Sequence, residues 1–180
     1  MAQFNALAMG VEVNGETVLS VIDGMGVFKA QAIKILEENG VTNPTPGMWY
    51  KQQAWLDAFK YIAEEIGPST LFNIGRKIPE NAQFPTDIDN IKEALSAIDI
   101  AYHMNHRGGE IGHYTFESTG QKSGLVTCNN PYPCDFDKGI IESMARKFQP
   151  ADSIMIVVSH DQSAECRTNG GKTCIYKVTW

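Results

Sequence analysis

The four cysteines are the residues best suited to chemistry, and all lie in the last third of the chain. Five residues separate Cys128 from Cys134, and seven separate Cys166 from Cys174. Neither spacing is the two-residue spacing of a zinc knuckle, so spacing alone leaves open a metal site, two disulfides or four unrelated buried residues. The first fifteen residues carry no basic segment followed by an apolar run, which argues against a secretory signal. We therefore expect a cytoplasmic chain, where cysteines are more often metal ligands.

The neighbours of these cysteines favour the metal site. Cys134 stands directly before Asp135, the predicted cap of a helix, and free amides at a helix start favour the thiolate that metals bind. Cys166 and Cys174 flank a glycine-containing turn, so both sulfurs can point to one side of a hairpin. His160 lies six residues before Cys166 and is a further candidate ligand.

Three of the four histidines, His103, His106 and His113, cluster at the end of a predicted helix. His103 and His106 are three residues apart and can share one helix face, as ligands or bases would. A single imidazole beside an apolar wall can also ligate haem iron. A polar helix end whose histidines bond to backbone carbonyls explains the same pattern, so both interpretations stay open.

Bulky aromatic residues are frequent in the helical half. They either fill a core or line an apolar cavity between helices and sheet, which is a common type of small-molecule site. We predict such a pocket between the helix that bears Trp55, the helix that bears Tyr102 and the sheet face near Tyr114. Its predicted lining consists of Trp55, Phe59, Phe72, Tyr102, His103, His106, Tyr114 and Phe116.

Composition and charge argue against several classes of function. The net charge is -6, with 15 basic residues scattered among 21 acidic ones. A nucleic-acid partner is not expected, because phosphate binding needs clustered Lys and Arg. No apolar run approaches the ~20 residues that span a bilayer, so we expect no membrane insertion. The sequence contains no phosphate loop, dinucleotide glycine fingerprint or nucleophile elbow, which favours a binding protein over an enzyme.

The elements that must position these residues begin with helices. An apolar period of 3.6 residues predicts helices over 27–39, 48–66, 69–78 and 85–102. Proline and glycine set the expected ends, since Gly40 caps the first helix and Pro79 stops the short third one. Asp87 and Asp89 are expected in the first turn of the last helix, where the positive end of the helix dipole favours them.

After Gly109 the period changes to that of strands. Strands are predicted at 110–117, 124–128, 154–159 and 174–180, with a helix at 136–148. One face of the last strand carries Cys174, Tyr176, Val178 and Trp180. Helices followed by strands indicate one α+β domain over residues 1–180, with N-terminal helices packed on a C-terminal antiparallel sheet. The order in the C-terminal half is strand-strand-helix-strand-strand.

Two motifs in the C-terminal half carry a resemblance to a known family. The first is Asn130-Pro131-Tyr132-Pro133-Cys134 leading into a helix; the second runs from Cys166 through Gly170-Gly171 to Cys174 and Tyr176, after a β-branched strand. Together they resemble the 4-vinyl-reductase (4VR) domain. That family is related to the haem-NO-binding domains and to the Golgi transport-particle subunits. The resemblance is good over residues 124–180 and only architectural over residues 20–110.

The resemblance implies a sensor or carrier domain that encloses a hydrophobic small molecule and is stabilised by zinc. By position, Cys134, Cys166 and Cys174 match the family's three zinc-binding cysteines. The family's glutamate, three residues before the second cysteine, is Ser163 here. The fourth ligand is therefore expected to be Cys128 or His160.

A haem or tetrapyrrole protein, either a gas sensor or an accessory to tetrapyrrole reduction, is the alternative function. The haem branch uses a proximal histidine and a tyrosine-serine-arginine motif that this sequence lacks, so haem is the weaker of the two implied cofactors. The resemblance also implies a homodimer, because family members often pair through their helical halves. A structural assembly subunit with a filled core is a third possibility.

Overall fold

Helices make up most of the first hundred residues, and the longer strands lie in the remainder. The computed structural model describes residues 3–180. In chain order the elements are β1 (Glu12–Asn14), α1 (Gly15–Gly24), α2 (Lys29–Glu38), β2 (Trp49–Lys51), α3 (Gln52–Glu65), α4 (Pro68–Asn81), α5 (Ile91–Met104), β3 (His106–Arg107), β4 (His113–Gly120), β5 (Ser123–Asn129), α6 (Cys134–Lys147), β6 (Val157–His160) and β7 (Cys174–Thr179). Within residues 3–180, no helix is both long and apolar enough to cross a bilayer.

The C-terminal sheet has the order β4-β5-β7-β6, and each neighbouring pair is antiparallel. Since α6 connects β5 to β6, the predicted α+β class and the order of its elements are confirmed. The predicted strand at 154–159 starts too early, because pairing with β7 begins at Val157, opposite Thr179, and Ile154 is fully exposed. The alternating face of β7 is buried as expected and carries Cys174, Tyr176, Val178 and Trp180.

The apolar stripe of α3 is buried, with Trp55, Phe59 and Ile62 inaccessible to solvent. The predicted start of this helix at residue 48 is wrong, because Trp49–Lys51 forms β2 and pairs with β1. These strands belong to a second sheet of order β2-β1-β3. Its strands are two or three residues long, too short for an alternating pattern to show in the sequence.

α1 is absent from the sequence-based prediction because Gly24 reads as an interruption of its apolar run. In the structure this glycine is a helix contact: a Cβ atom on Gly24 would lie 2.4 Å from the Cα atom of Ile74 in α4. The side chain of Asn14 caps the helix by accepting the amide of Thr17. α2 follows at Lys29–Glu38 and confirms the helix predicted over 27–39 within two residues at each end.

α4 continues through Pro79, where the sequence predicts a stop. Ile78 and Pro79 are both buried, and the amide of Ala82 bonds to the carbonyl of Ile78 at 2.9 Å. Burial of this last turn therefore compensates for the hydrogen bond that proline cannot make.

α5 begins at Ile91 rather than at residue 85. Asn90 is its cap, and the Asn90 side chain accepts the amides of the second and third helical residues. Asp87 and Asp89 consequently lie in the loop before the helix, outside its first turn. Asn is among the strongest capping residues. Asn90 therefore indicates the start of α5 better than Pro85 does.

Two glycines bring α4 and α6 into close contact. A Cβ atom on Gly75 would lie 2.1 Å from the carbonyl oxygen of Phe136, and one on Gly139 would lie 2.2 Å from that of Phe72. Real Cβ atoms do not approach backbone oxygens this closely, so only glycine fits at either position. The pair fixes α6 against the helical half, and α6 carries Cys134 at its first residue.

Candidate metal centre

Four side chains from separate segments converge beside the first turn of α6. One ligand atom each from Cys134, His160, Cys166 and Cys174 lies within 4.8 Å of the others. The sulfur of Cys134 is 3.3 Å from that of Cys174 and 3.6 Å from that of Cys166, and the last two are 3.7 Å apart. Three thiolates around a tetrahedral zinc ion, each bonded at ~2.3 Å, would be separated by about 3.8 Å. All four cysteines are free, so the group is not a disulfide.

Each ligand is held by a defined element. Cys134 is the first residue of α6, Cys166 precedes a 3-10 turn, Cys174 opens β7 and His160 ends β6. His160 lies opposite Tyr176 in the β6–β7 register, and the two rings stack with centroids 4.8 Å apart. The Nε2 atom of His160 is buried and has no hydrogen-bond partner among the described residues. A metal ion bound there would satisfy this atom.

The sulfurs of Cys134 and Cys174 lie 3.3 Å apart, within hydrogen-bond distance. The hydrogen bond from Cys134 lowers the pKa of Cys174 to about 7, with Arg167 acting in the same direction. The same hydrogen bond, together with burial, raises the pKa of Cys134 well above its usual range. The lowered pKa of Cys174 favours the thiolate form, which is the form that binds a metal ion.

Arg167 contacts this centre from the protein interior, through the sulfur of Cys174. Its backbone N–H and its Nε–H both donate to the sulfur of Cys174, each at 3.4 Å. The far end of the guanidinium donates to Asn130 and forms an ion pair with Asp137, and both side chains of the pair are fully buried. The hydroxyl of Tyr114 donates to Asp137 at 2.6 Å. Hydrogen-bonded neighbours of this kind orient metal ligands and tune their basicity.

Sequence reasoning missed Arg167 and Asp137. A signal was present, since Arg167 directly follows Cys166 and Asp137 lies one turn into the helix that Cys134 begins. Charged residues are almost never fully buried unless they are paired. Burial of either residue, however, cannot be read from spacing along the chain.

Of the two candidates for the fourth ligand, the structure brings His160 to the group and leaves Cys128 outside it. Cys128 lies directly opposite Cys174 in the β5–β7 register and is fully buried. Burial raises the pKa of its thiol well above the usual range. Cys128 is therefore a buried thiol on the neighbouring strand, outside the group of candidate ligands.

The predicted apolar pocket is largely filled by its own aromatic residues. A cavity of about 30 Å³ remains, which holds one or two water molecules. Four of the predicted lining residues surround it: Trp55, Tyr102, His106 and Tyr114. Phe59 packs behind Trp55 and Phe136 at centroid distances of 4.7 and 4.8 Å, so it fills the core.

The other three predicted pocket residues lie elsewhere. Phe72 is on α4 with Arg76 over its ring at 6.0 Å, and Phe116 is a half-buried residue of β4. His103 is on the surface, close to His113 and Asp99. The structure therefore places these three side chains outside the wall of the cavity.

His106 is the polar centre of the cavity wall. Its Nδ1–H donates to the carbonyl of Tyr102 at 2.8 Å, which leaves Nε2 to accept the hydroxyl proton of Tyr132 at 2.6 Å. Gln52 in turn donates to the Tyr132 oxygen at 2.9 Å. Burial lowers the pKa of His106 to about 4, so the ring is neutral at pH 7. Both ring nitrogens are therefore already in use.

Comparison with known proteins relates this architecture to one group of solved structures. No family model and no curated protein matches the sequence. An H-NOX protein from S. oneidensis, solved in the Fe(II)NO ligation state, is 14% identical, with 92% of this chain and 97% of that chain covered at a TM-score of 0.63. An oxygen-binding H-NOX domain related to soluble guanylate cyclases is 13% identical, with 92% and 91% covered and a TM-score of 0.62.

A further H-NOX structure, from work on haem distortion in that family, is 14% identical, with 93% and 94% covered and a TM-score of 0.64. At such low identity these likenesses show a shared fold alone. The H-NOX fold is also the fold that the resemblance carried by the C-terminal motifs implies. The narrower resemblance to the 4VR domain stays a prediction.

Proposed function

We propose that this chain is a small-molecule-sensing domain whose C-terminal sheet is joined to α6 by one structural zinc ion. The observation that carries the proposal is the convergence of Cys134, His160, Cys166 and Cys174, whose ligand atoms lie within 4.8 Å of one another. Three sulfurs and one imidazole nitrogen form a donor set typical of zinc, and four protein ligands leave no open position for a substrate. The ion is therefore structural. The sensing role rests on the resemblance carried by the C-terminal motifs, and the cavity beside His106, at about 30 Å³, has room only for a ligand the size of one or two water molecules.

The proposed ion links segments that are far apart in sequence. Cys134 is in α6, His160 ends β6, and Cys166 and Cys174 flank the turn before β7. Bound zinc would hold this turn against the start of α6, and its binding free energy would add to the folding free energy.

Cobalt substitution tests the ligand set. We expect the Co²⁺-loaded protein to show visible bands of a tetrahedral site and strong thiolate-to-metal charge transfer in the near ultraviolet. Cys166→Ser should reduce the charge-transfer intensity, whereas Cys128→Ser should leave it unchanged. Equal loss in both variants would contradict the proposed ligands.

Haem binding is the second candidate function, and the fold comparisons favour it over a purely apolar ligand. The similar structures include an H-NOX protein in the Fe(II)NO ligation state, one from work on haem distortion and an oxygen complex, and His106 supplies an imidazole in the interior. The residues of this chain do not fit a haem in the arrangement observed. Both nitrogens of His106 are hydrogen-bonded, the cavity is about 30 Å³, and no Lys or Arg among residues 3–180 lines it to pair with haem carboxylates.

Absorption spectroscopy separates the two candidates. After incubation with one equivalent of haem and removal of the excess, we expect no Soret band above that of a His106→Ala control. A stoichiometric Soret band that disappears in His106→Ala would establish haem as the ligand. That result would leave the zinc proposal standing, because the two sites share no residue.

We also propose that the chain pairs through its helical half. Large apolar side chains are exposed there, at Val27 (93%), Phe28 (62%) and Ile33 (38%), and a patch of this kind marks an interface. Light scattering at micromolar concentration should give twice the chain mass of 19.9 kDa, and Phe28→Glu should give the single chain. A monomeric wild-type protein would refute the pairing.

A further inference from the structure

A second group of metal-binding side chains lies on the outer face of α5, remote in sequence from the cysteines. It consists of Asp99 and His103 on α5 and His113 at the start of β4. One ligand atom of each lies within 4.8 Å of the others. The Nδ1 atom of His113 is 3.4 Å from Oδ1 of Asp99, and Nδ1 of His103 is 3.7 Å from the same oxygen. The side chains are 31% to 57% exposed, so an ion can enter from solvent.

We infer that Asp99, His103 and His113 form a second, independent binding site for a divalent transition-metal ion such as Zn²⁺ or Ni²⁺. Two imidazoles and one carboxylate suit these ions, and Ni²⁺ and Zn²⁺ bind such nitrogen and oxygen donors well. Three protein ligands leave further positions to water. The site is thus open, unlike the closed group formed by Cys134, His160, Cys166 and Cys174.

The surrounding structure orients Asp99 and His103 before any ion binds. Oδ1 of Asp99 accepts the backbone amide of Tyr114 at 2.8 Å, which fixes the carboxylate. Nδ1 of His103 donates to the carbonyl oxygen of Asp99 at 2.9 Å, so Nε2, and not Nδ1, is the nitrogen that His103 would offer to an ion. A ligating histidine commonly has this arrangement, with one nitrogen on a backbone carbonyl and the other on the metal. The rings of His103 and His113 lie 5.0 Å apart.

The local charge also favours a cation. The only basic side chains within 4.0 Å of the Asp99 carboxylate among the described residues are the imidazoles of His103 and His113, so no Lys or Arg neutralises it. A bound ion would therefore meet uncompensated negative charge.

An ion at this site would link the end of α5 to the start of β4. The same stretch of α5 presents Tyr102 to the cavity, and His106 follows directly after the helix. Tyr114, next to His113, lines the cavity from β4 and donates to Asp137. The inferred ion would thus bridge, from outside, the two elements that enclose the cavity, and binding would stabilise their packing.

Titration of the zinc-loaded protein with Ni²⁺ tests the inference. We expect calorimetry to show one Ni²⁺ bound per chain in addition to the zinc, with no thiolate-to-nickel charge-transfer band. His113→Ala and His103→Ala should each abolish this binding, and Asp99→Asn, which keeps an oxygen for the Tyr114 amide, should weaken it. Lys92→Ala, at the other end of α5, is the control and should bind like wild type.

Two results would overturn the inference. One is a wild-type protein that takes up no Ni²⁺ beyond the zinc. The other is a His103→Ala/His113→Ala double variant that binds Ni²⁺ with unchanged stoichiometry and affinity. Circular dichroism of each variant is the control for folding. We expect the fold to be retained, because both histidines are exposed.

Discussion

Arg167 donates two hydrogen bonds to the sulfur of Cys174, one from its backbone N–H and one from Nε, each at 3.4 Å. The same side chain forms a fully buried ion pair with Asp137. A single residue therefore supports a thiolate of the proposed metal centre and neutralises the charge at the base of α6. This arrangement makes Arg167 the residue outside the ligand set on which the centre depends most.

Arg167→Met should destabilise the protein by ~3–5 kcal/mol, because it leaves Asp137 buried without its cation. Guanidinium denaturation of the zinc-loaded protein measures this change. Adding Asp137→Asn to the variant should restore part of the stability, since the buried charge is then removed as well. A loss below ~1 kcal/mol in the single variant, the range of an exposed ion pair, would show that the pair is not buried as described.

The buried neutral His106 should make stability depend on pH. Its pKa is about 4 in the folded state against 6.5 for the free side chain, so the unfolded chain binds the proton more readily. Unfolding free energy should therefore fall by up to ~3 kcal/mol as the pH decreases from about 6.5 to about 4. Thermal melts of wild type and His106→Gln across this range isolate the contribution of His106 to the unfolding free energy. Acid loss of zinc affects both proteins alike and cancels in the difference between them. Parallel curves would contradict a buried neutral His106.

Gly139→Ala should destabilise the protein by about 3 kcal/mol, since the added Cβ would lie 2.2 Å from the carbonyl oxygen of Phe72 and push α6 from α4. Helix propensity alone predicts the opposite sign, a gain of ~1 kcal/mol. Urea denaturation therefore decides between close helix packing and propensity. Lys60→Ala, on the exposed face of α3, is the control and should change little.

The sequence predicts the C-terminal sheet and the convergence of Cys134, Cys166 and Cys174 better than it predicts the helical half. The alternation along β7 and the cysteines at the two ends of a glycine turn are local patterns, and a local pattern can be read directly. The starts of α3 and α5 are misplaced because β2 continues the helical period of Trp55 and because the capping role of Asn90 competes with Pro85 as a start signal. α1 is lost because a glycine in close helix contact looks the same as a helix breaker.

The interior illustrates what sequence cannot decide. Trp55, Tyr102 and Tyr114 were expected to line a pocket, and they do surround a cavity, yet Tyr132 and Phe136 fill most of the same layer. A filled core and a cavity use the same residue types, and only the packed volume separates them. The choice between Cys128 and His160 as fourth ligand likewise depends on where the β5–β7 and β6–β7 pairings place the two side chains. The spacing of residues along the chain does not show this.

Metal content of the purified protein tests the central claim most directly. After extensive dialysis, elemental analysis should give one zinc per chain in wild type and in His103→Ala/His113→Ala, and close to none in Cys174→Ser. Cys174→Ser, or wild type treated with chelator, should melt at a markedly lower temperature. No zinc in wild type, no free thiols on titration, and a melting temperature that falls with reductant rather than with chelator would contradict the claim. That outcome would make the cysteines two disulfides.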